Sequence, residues 1–252
     1  MKKPFLPIIA ALCSLGASSL AQSPGREKKE AAAEKSDANK QIRVQVEFID
    51  VSHEQLTELM FGAKPAANDT ELRGQVAQLV KDGKAKVMET LLCTGRSGQK
   101  STTESLEEFI YPTEYEPAEF YQDGKDPSKT VPGDPGKHDA IGPTPTAFDT
   151  RNLGSTMEIE PTVSKDGSRI DLRLIPEIVY HVGNTTWAEW KDEHGSSPVQ
   201  MPIMYALRLN TSVILTNGKP MLAAALSPKN EQGFPDFTRK LMVFVKADVL
   251  PE

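Results

Sequence analysis

The segment Asn152–His181 reads NLGSTMEIEPTVSKDGSRIDLRLIPEIVYH, and its hydrophobic alternation decides the fold. Apolar and polar residues alternate before and after the dipeptide Asp166-Gly167, which is typical of two strands that each bury one face. An Asp-Gly dipeptide between two alternating runs favours a two-residue type I′ turn. The segment therefore predicts an antiparallel β-hairpin.

The predicted turn fixes a register that suits both faces of this hairpin. Counting outward from the turn, Ile159 faces Leu174, so the apolar pairs share one face. Glu160 faces Arg173 on the other face, where opposite charges on neighbouring strands attract each other. One register meets both demands.

Alternating runs on both sides of the hairpin predict the remainder of a sheet. Residues 42–48 alternate as a strand with one buried face. Residues 239–249 form the last predicted strand, in which apolar residues recur on both faces and favour burial on both sides. Strands of the sheet are therefore expected from the beginning of the domain to its end.

Two glycine-containing connections predict further hairpins. The sequence GRSG at 95–98 separates strand-like runs at 84–94 and 99–112. Asn217-Gly218 supplies a second type I′ signal within a run of alternating apolar residues.

Two short helices precede most of these strands. Residues 52–62 begin with Ser52 as an N-cap and carry Gln55 three residues later, the pattern of a capping box. Residues 68–83 place apolar side chains at helical spacing, with Asp69 or Thr70 as the cap. The fold class is thus α+β, mainly antiparallel β, with one or two short helices near the amino-terminal end.

The first residues have the features of a secretory signal peptide. Lys2 and Lys3 precede an apolar run, and the small residues Ser19 and Ala21 suit cleavage after Ala21. We therefore expect a signal peptide at 1–21 and export of the mature chain. The alternatives are a membrane anchor, for which the apolar run is short, and a lipid-modified cysteine.

The next segment, residues 22–40, is charged, rich in alanine and poor in large apolar side chains, which predicts a flexible linker. The folded domain is expected at 41–252. Cleavage would remove Cys13 and leave Cys93 as the one cysteine, so an internal disulfide is excluded. We interpret Cys93 as a buried, inert thiol.

Two stretches of the domain depart from the strand pattern. Residues 112–148 are rich in proline and glycine and predict a long excursion with little regular structure. Residues 184–200 form a polar insertion that interrupts the sheet and carries Trp187 and Trp190. The two tryptophans could pack over the sheet edge, contact a partner protein, or anchor the chain at a membrane interface.

Composition and motifs favour neither an enzyme nor a nucleic-acid-binding protein. The net charge is −6 and its charges are mixed along the chain, without a basic patch. No phosphate-binding glycine loop, nucleophile elbow or regular acidic calcium loop occurs, so no cofactor or metal is predicted. The histidines lack a metal-ligand spacing and are His53, His138, His181 and His194.

The order of these parts resembles the carboxy-terminal homology domain of the secretins. Secretins are the outer-membrane channel proteins of type II and type III secretion and of type IV pili. The resemblance is carried by VQVEFIDV at 44–51, LVKDGKAKVMETLLCTGRSGQKSTTES at 79–105, LGSTMEIEPTVSKDGSRIDLRLIPEI at 153–178, LRLNTSVILTNGKPMLAAAL at 207–226 and LMVFVKADV at 241–249.

This resemblance implies a structural protein of the cell envelope, in the periplasm or the outer membrane, that acts in protein secretion as part of a ring. Its expected partners are other envelope or secretion-system proteins, including copies of itself. No catalytic residues are then required, and the distinctive residues fix turns and strand ends. These turn residues are Gly154, Pro161, Asp166, Gly167, Pro176, Asn217 and Gly218.

Two departures from the family favour an accessory subunit or a soluble periplasmic interaction module over a complete channel. Secretins normally carry amino-terminal periplasmic modules, whereas only residues 22–40 separate the predicted signal peptide from the domain. The stretch corresponding to 112–148 contributes gate hairpins in the family, but here its strand signal is weak. We therefore expect that the chain alone forms no gated pore.

Overall fold

The computed structural model describes residues 39–62, 64, 66–120, 140–192 and 195–251. The predicted signal peptide lies outside these residues, as does nearly all of the predicted linker. In chain order, the described elements are β1 (Gln41–Ser52), α1 (His53–Gly62), α2 (Thr70–Lys81), β2 (Lys86–Arg96), β3 (Ser101–Glu116), β4 (Glu119–Phe120), β5 (Ala140–Ile141), β6 (Thr144–Val163), β7 (Arg169–Asp192), β8 (Gly195–Arg208), β9 (Thr211–Thr216), β10 (Pro220–Leu226) and β11 (Arg239–Val249).

These strands form two main antiparallel sheets. The first sheet has the strand order β10-β11-β1-β2. The second has the order β3-β6-β7-β8, and β9 pairs with the amino-terminal part of β7. A further two-stranded sheet joins β4 and β5. The predicted class, mainly antiparallel β with two short helices near the amino-terminal end, is confirmed.

The main core lies where the two sheets pack face to face. It is built from the alternate residues of each strand, as the alternation predicts. Burial of one such side chain contributes roughly 2 kcal/mol to folding. Fully buried members include Ile42, Val44, Val46, Phe48, Ile159, Leu172, Leu174 and Val243.

A second core lies on the opposite face of the first sheet, beneath the helices. Leu72 and Val76 of α2 pack there with Met242 and Phe244 of β11. The prediction that the last strand is covered on both sides is therefore confirmed. Ser52 caps α1 as predicted, because its hydroxyl accepts a hydrogen bond from the Gln55 backbone N–H at 3.1 Å.

The predicted hairpin register is confirmed, but the predicted turn type is wrong. Ile159 pairs with Leu174 and Glu160 pairs with Arg173 in the β6–β7 ladder. Gly167 has a φ of 71°, whereas a type I′ turn would also require a positive φ at Asp166, which it lacks.

The chain reverses instead through a longer loop that the Asp166 side chain organises. Asp166 accepts hydrogen bonds from the Ser164 hydroxyl at 2.6 Å and the Ser168 backbone N–H at 3.1 Å. It also accepts one from the Ser168 hydroxyl at 2.6 Å. These side-chain bonds replace the backbone geometry of a two-residue turn and preserve the strand register.

The other two predicted hairpins are wrong, because each connection crosses between the sheets. β2 belongs to the first sheet and β3 to the second, and the backbone N–H of Gly98 donates to Pro161 O at 2.7 Å. β9 pairs with β7, whereas β10 pairs with β11, so Asn217-Gly218 also forms a corner. Gly218 has a φ of 74°, but Asn217 lacks the positive φ of a type I′ turn.

Asn217 connects three parts of this corner. Its Nδ2 donates to Gly167 O at 3.1 Å, and its Oδ1 accepts from the Val249 backbone N–H at 3.0 Å. Its own backbone N–H donates to Ser168 O at 2.9 Å. One side chain therefore ties the β6–β7 loop to the end of the last strand.

Candidate interaction surface

The second sheet extends beyond the sandwich as two hairpin arms. The first arm consists of residues 106–116 of β3 and 144–153 of β6. The second arm consists of residues 180–192 of β7 and 195–205 of β8. β6 and β7 pair with each other only from Gly154 towards Val163, so the two arms separate at Gly154.

Gly154 occupies a position that only glycine tolerates. Its φ is 115°, and a Cβ atom there would overlap the backbone oxygen of Ser105. This close approach keeps β3 and β6 paired through the point where the arms diverge. The turn role predicted for Gly154 is therefore replaced by a position inside β6.

The two prolines also lie inside strands, which corrects their predicted place at strand ends. Pro161 pairs with Leu172 within the β6–β7 ladder. Pro176 lies in β7 between the segment that pairs with β9 and the segment that pairs with β8. Since proline has no N–H to donate, it suits a point where one neighbouring strand replaces another.

Both departures from the strand pattern prove to contain strands. The ends of the 112–148 stretch belong to β3, β4, β5 and β6, although residues 121–139 lie outside the described part. The 184–200 stretch belongs to β7 and β8 and continues the sheet that it was expected to interrupt. The physical reason is that hydrogen bonding between paired strands does not require a buried face or a regular alternation.

The two arms contact each other through aromatic and polar groups. The rings of Phe109 and His181 stack with centroids 4.6 Å apart. The Tyr115 hydroxyl donates to Gln200 O at 3.4 Å. Within the second arm, His181 Nε2 lies 2.9 Å from Asn184 Oδ1. The Tyr115 hydrogen bond is partly buried and the His181–Asn184 contact is exposed, so each contributes less than a fully buried equivalent.

The first arm exposes an apolar row that Glu108 interrupts, because Glu108 lies between Leu106 and Ile110 on the same face of β3. Leu106 and Ile110 lie on the same face of β3, and Phe148 of β6 lies opposite Pro112 on that face. The exposed fractions are 39% for Leu106, 63% for Ile110 and 60% for Phe148. Sequence reasoning did not single out this row, because Glu108 lies on its face while Phe109 and Tyr111 lie on the other, so β3 shows no clear alternation there.

The predicted partner-contact residues lie in the second arm. Trp187 is 75% exposed and sits at an irregularity in the ladder between Thr186 and Ala188. Trp190 pairs with Ser197 and is only partly exposed. The structure thus presents one indole and covers much of the other, and their contact with a partner stays a prediction.

Both outer strands of the second sheet have open edges. Among the described residues, β3 pairs only with β6, and the arm portion of β8 pairs only with β7. Such edges can accept a strand from another chain. These strands contain three prolines, which have no backbone N–H to donate to an added strand: Pro112, Pro198 and Pro202.

The outward face of the second sheet below the arms is charged. Glu158, Glu160, Asp171 and Arg173 alternate with the core residues, and Lys100 pairs with Glu158 at 2.5 Å. Glu160 and Arg173 face each other across neighbouring strands, so this face is hydrated and its charges are partly compensated.

Burial explains the raised pKa values of three titratable groups. Burial raises the pKa of the Cys93 thiol, which accords with an inert residue. Burial also raises the pKa of Asp50, although hydrogen bonding to Arg239 opposes this shift. Burial, together with the neighbouring Glu89 carboxylate, raises the pKa of Tyr180.

The described residues were compared with the requirements of a metal site and of a membrane-spanning helix. Within them, no group of three or more His, Cys, Asp or Glu side chains is arranged to hold a metal ion. His138 and His194 lie outside this part of the chain. In the same part, no helix is long and apolar enough to cross a membrane.

A groove of about 870 Å³ separates the two helices. Leu59, Leu72 and Leu79 line it together with polar residues that include Gln55 and Gln75. Its mixed lining selects no particular ligand class, so the arms remain the best candidate surface.

Comparison with known proteins gives structural neighbours only. No family model matches the chain, and no curated protein matches it. The secretin of the ETEC pilotin–secretin AspS–GspD complex is 10% identical, with a TM-score of 0.43 over 92% of this chain and 54% of that chain. The chain therefore spans about half of that protein's length.

Two further neighbours are secretins of a type III secretion injectisome and of a type IV competence pilus. The Salmonella SPI-1 type III secretion injectisome secretin InvG is 10% identical, with a TM-score of 0.42 over 92% of this chain and 71% of that chain. The V. cholerae type IV competence pilus secretin PilQ is 11% identical, with a TM-score of 0.37 over 92% of this chain and 66% of that chain. Because these TM-scores are below 0.5, the function must be argued from the chain's own residues.

Proposed function

We propose that the chain is a secretin-related protein of the cell envelope in a type II or type III secretion or type IV pilus-like system. A signal peptide directs it to the periplasm or outer membrane. There it contributes to protein secretion as a ring or accessory subunit and binds other envelope proteins or copies of itself. The role is structural and involves no catalysis.

One observation carries this proposal: the second sheet has long outer strands with open edges and an exposed apolar row. β3 has 16 residues and β8 has 14, so each outer strand has a long edge whose backbone groups are not paired with another strand of the described sheet. Exposed apolar rows beside open edges favour contact with another protein. The order of the sequence segments that resemble the secretin domain supplies the type of assembly.

A soluble periplasmic interaction module is the second candidate. Pro112 lies in β3, and Pro198 and Pro202 lie in β8. Prolines in edge strands discourage the addition of further strands. This observation favours a module that binds a partner without extending its sheet into a ring.

The mass of the exported protein, measured by light scattering with and without detergent, tests the two candidates. A ring requires a large multimer, whereas a module gives a monomer without detergent. Ile110→Lys puts a charge on the apolar row, and Glu107→Lys puts the same charge on the other face of β3. If the apolar row makes the contact, Ile110→Lys should abolish the multimer or the partner complex, and Glu107→Lys should leave it intact.

Conductance across planar bilayers tests the expectation that the chain alone forms no gated pore. We expect no conductance steps from the purified protein. Conductance steps together with multimers that resist denaturing gels would contradict both the accessory role and the soluble module. They would leave the ring form of the proposal standing.

A further inference from the structure

The segment 227–238, which connects β10 to β11, is an ordered turn rather than a loose loop. Asn230 Oδ1 accepts hydrogen bonds from the backbone N–H groups of Gln232 and Phe234, each at 2.9 Å. Asp236 Oδ1 accepts from the Thr238 hydroxyl at 2.6 Å and from the Thr238 backbone N–H at 2.9 Å, and these two bonds lower the pKa of Asp236. The segment therefore holds its own shape.

One side of this segment contacts the base of the second arm. The Tyr205 hydroxyl donates to Ser227 O at 2.7 Å. The Lys229 Nζ lies 5.5 Å from the centroid of the Tyr180 ring. Gly233 approaches Val182 so closely that a Cβ atom on Gly233 would overlap the valine side chain.

Val182 marks an irregularity in the arm itself. His181 pairs with Met204 and Gly183 pairs with Ile203, so Val182 has no partner of its own in the β7–β8 ladder. Such a β-bulge bends a strand locally. The angle at which the arm leaves the sandwich therefore depends on what packs against this bulge, together with the contacts that His181 and Gln200 make with the first arm.

The other side of the segment is tied to the sandwich and to α1. The Lys240 Nζ donates to the Ser227 hydroxyl at 2.9 Å. The His53 backbone N–H donates to Thr238 O at 2.8 Å, and the His53 Nδ1 lies 3.1 Å from Phe237 O. The segment thus touches the arm with one side and the rigid part of the molecule with the other.

We propose that segment 227–238 is a latch that holds the second arm at a fixed angle to the sandwich. Its removal from Val182 leaves the two sheets and their core intact and frees the arm to pivot at the bulge. The latch does not depend on a secretin-related function, because it is built from contacts within one chain.

Two matched glycine substitutions test the latch. Gly233→Ala introduces strain at a φ of 85° and an overlap with Val182, whereas Gly83→Ala introduces similar strain at a φ of 70° with no neighbour within 4 Å. Amide hydrogen exchange of residues 180–192 and 195–205 reports the arm. We expect exchange about fivefold faster in the arm for Gly233→Ala only, with the sandwich strands unchanged.

Tyr205→Phe decides the question if Gly233→Ala does not fold, because it removes only the hydroxyl that reaches Ser227. Tyr111→Phe is its control, since Tyr111 lies in the first arm and its hydroxyl contacts Asp149 at 3.5 Å. Faster exchange in the second arm for Tyr205→Phe alone supports the latch. Unchanged arm exchange in the folded latch variants, or an equal increase throughout the sandwich, would overturn it.

Discussion

The sandwich and the arms share the strands β6 and β7, yet the two regions are stabilised differently. In the sandwich, Ile159 of β6 and Leu172 of β7 are fully buried. In the arms, Phe148 of β6 is 60% exposed and Trp187 of β7 is 75% exposed. The same backbone pairing therefore continues from a region held by apolar burial into one held mainly by hydrogen bonds between strands.

This difference separates stability from interaction along a single sheet. Apolar burial sets the free energy of unfolding, and it is concentrated between the two sheets. The arms bury little, so their apolar side chains remain available for another surface. Substitutions in the sandwich should act on stability, and those in the arms should act on binding.

The largest expected effect comes from a pair of leucines. Leu172→Ala opens a cavity between the sheets and should lower the free energy of unfolding by about 3 kcal/mol. Leu106→Ala removes a side chain that is 39% exposed in the first arm and should cost less than about 0.5 kcal/mol. Urea unfolding measures both values. Equal losses would show that the first arm belongs to the folding core.

A pair of asparagines should give the next largest difference. Asn217→Ala removes two side-chain hydrogen bonds that join the β6–β7 loop to Val249, for an expected loss of about 2 kcal/mol. Asn184→Ala also removes two side-chain contacts, to His181 and Gln200, but these groups are exposed and can bond to water.

The second variant should therefore lose less than about 0.5 kcal/mol in the same urea titration. A loss at Asn184 as large as that at Asn217 would show that the polar groups of the second arm are part of the cooperative fold. The distinction between a stable sandwich and a weakly held arm would then fail.

The sequence predicts the sandwich well because burial imposes a pattern on it. Counting outward from Asp166-Gly167 placed Ile159 opposite Leu174 in the correct register, although the turn type was wrong, and alternation placed both faces of β11 in cores. A capping box located the start of α1 because Ser52 and Gln55 interact locally. Each of these features depends on residues that are close in sequence or on one buried face.

The sheet corners could not be predicted because distant residues determine them. Gly98 and Asn217-Gly218 look like hairpin turns, but their backbone N–H groups bond to Pro161 and Ala247 in other strands and to Ser168 in the β6–β7 loop. Local turn signals cannot distinguish a return within one sheet from a crossing to another.

The predicted strand-like run at 99–112 includes the start of the first arm, but most of the two arms escaped prediction because they lack a buried face. The paired strands of the second arm are largely exposed on both faces. No buried face therefore enforces alternation of apolar and polar residues along 184–200. The latch contacts were also hidden, since Tyr180, Tyr205 and Lys229 are far apart in sequence and match no motif. Interaction surfaces of this kind require the three-dimensional pairing to be known.

A pair of glycines compares backbone strain in the two regions. Gly167→Val places a β-branched residue at a φ of 71° in the β6–β7 loop and should cost roughly 1.5 kcal/mol. Gly183→Val lies in the second arm, where φ is negative or extended and no atom lies within 4 Å, so its effect should stay below about 0.5 kcal/mol. Similar melting temperatures for the two variants would contradict the strained loop geometry.

The smallest expected effect concerns pH and the exposed loop at Asp166. Hydrogen bonds from Ser164 and Ser168 hold the pKa of Asp166 well below its ordinary value of 3.8. A carboxylate with a lowered pKa in the folded state stabilises the fold above the unfolded pKa and loses this contribution as pH falls. Asp166→Ala should therefore melt slightly below the wild-type protein near pH 6, and the difference should shrink between about pH 4 and pH 2.

Asp166→Asn is the matched control because it retains an acceptor oxygen but does not titrate. The difference in melting temperature between Asp166→Asn and Asp166→Ala should stay nearly constant over the same pH range. The melting temperature of the wild-type protein should approach those of the two variants as pH falls. The effect is small because the carboxylate is exposed and its partners can bond to water. A wild-type advantage over Asp166→Ala that persists unchanged at about pH 2 would show that the shape of the side chain, and not its charge, organises the loop that sets the sandwich register.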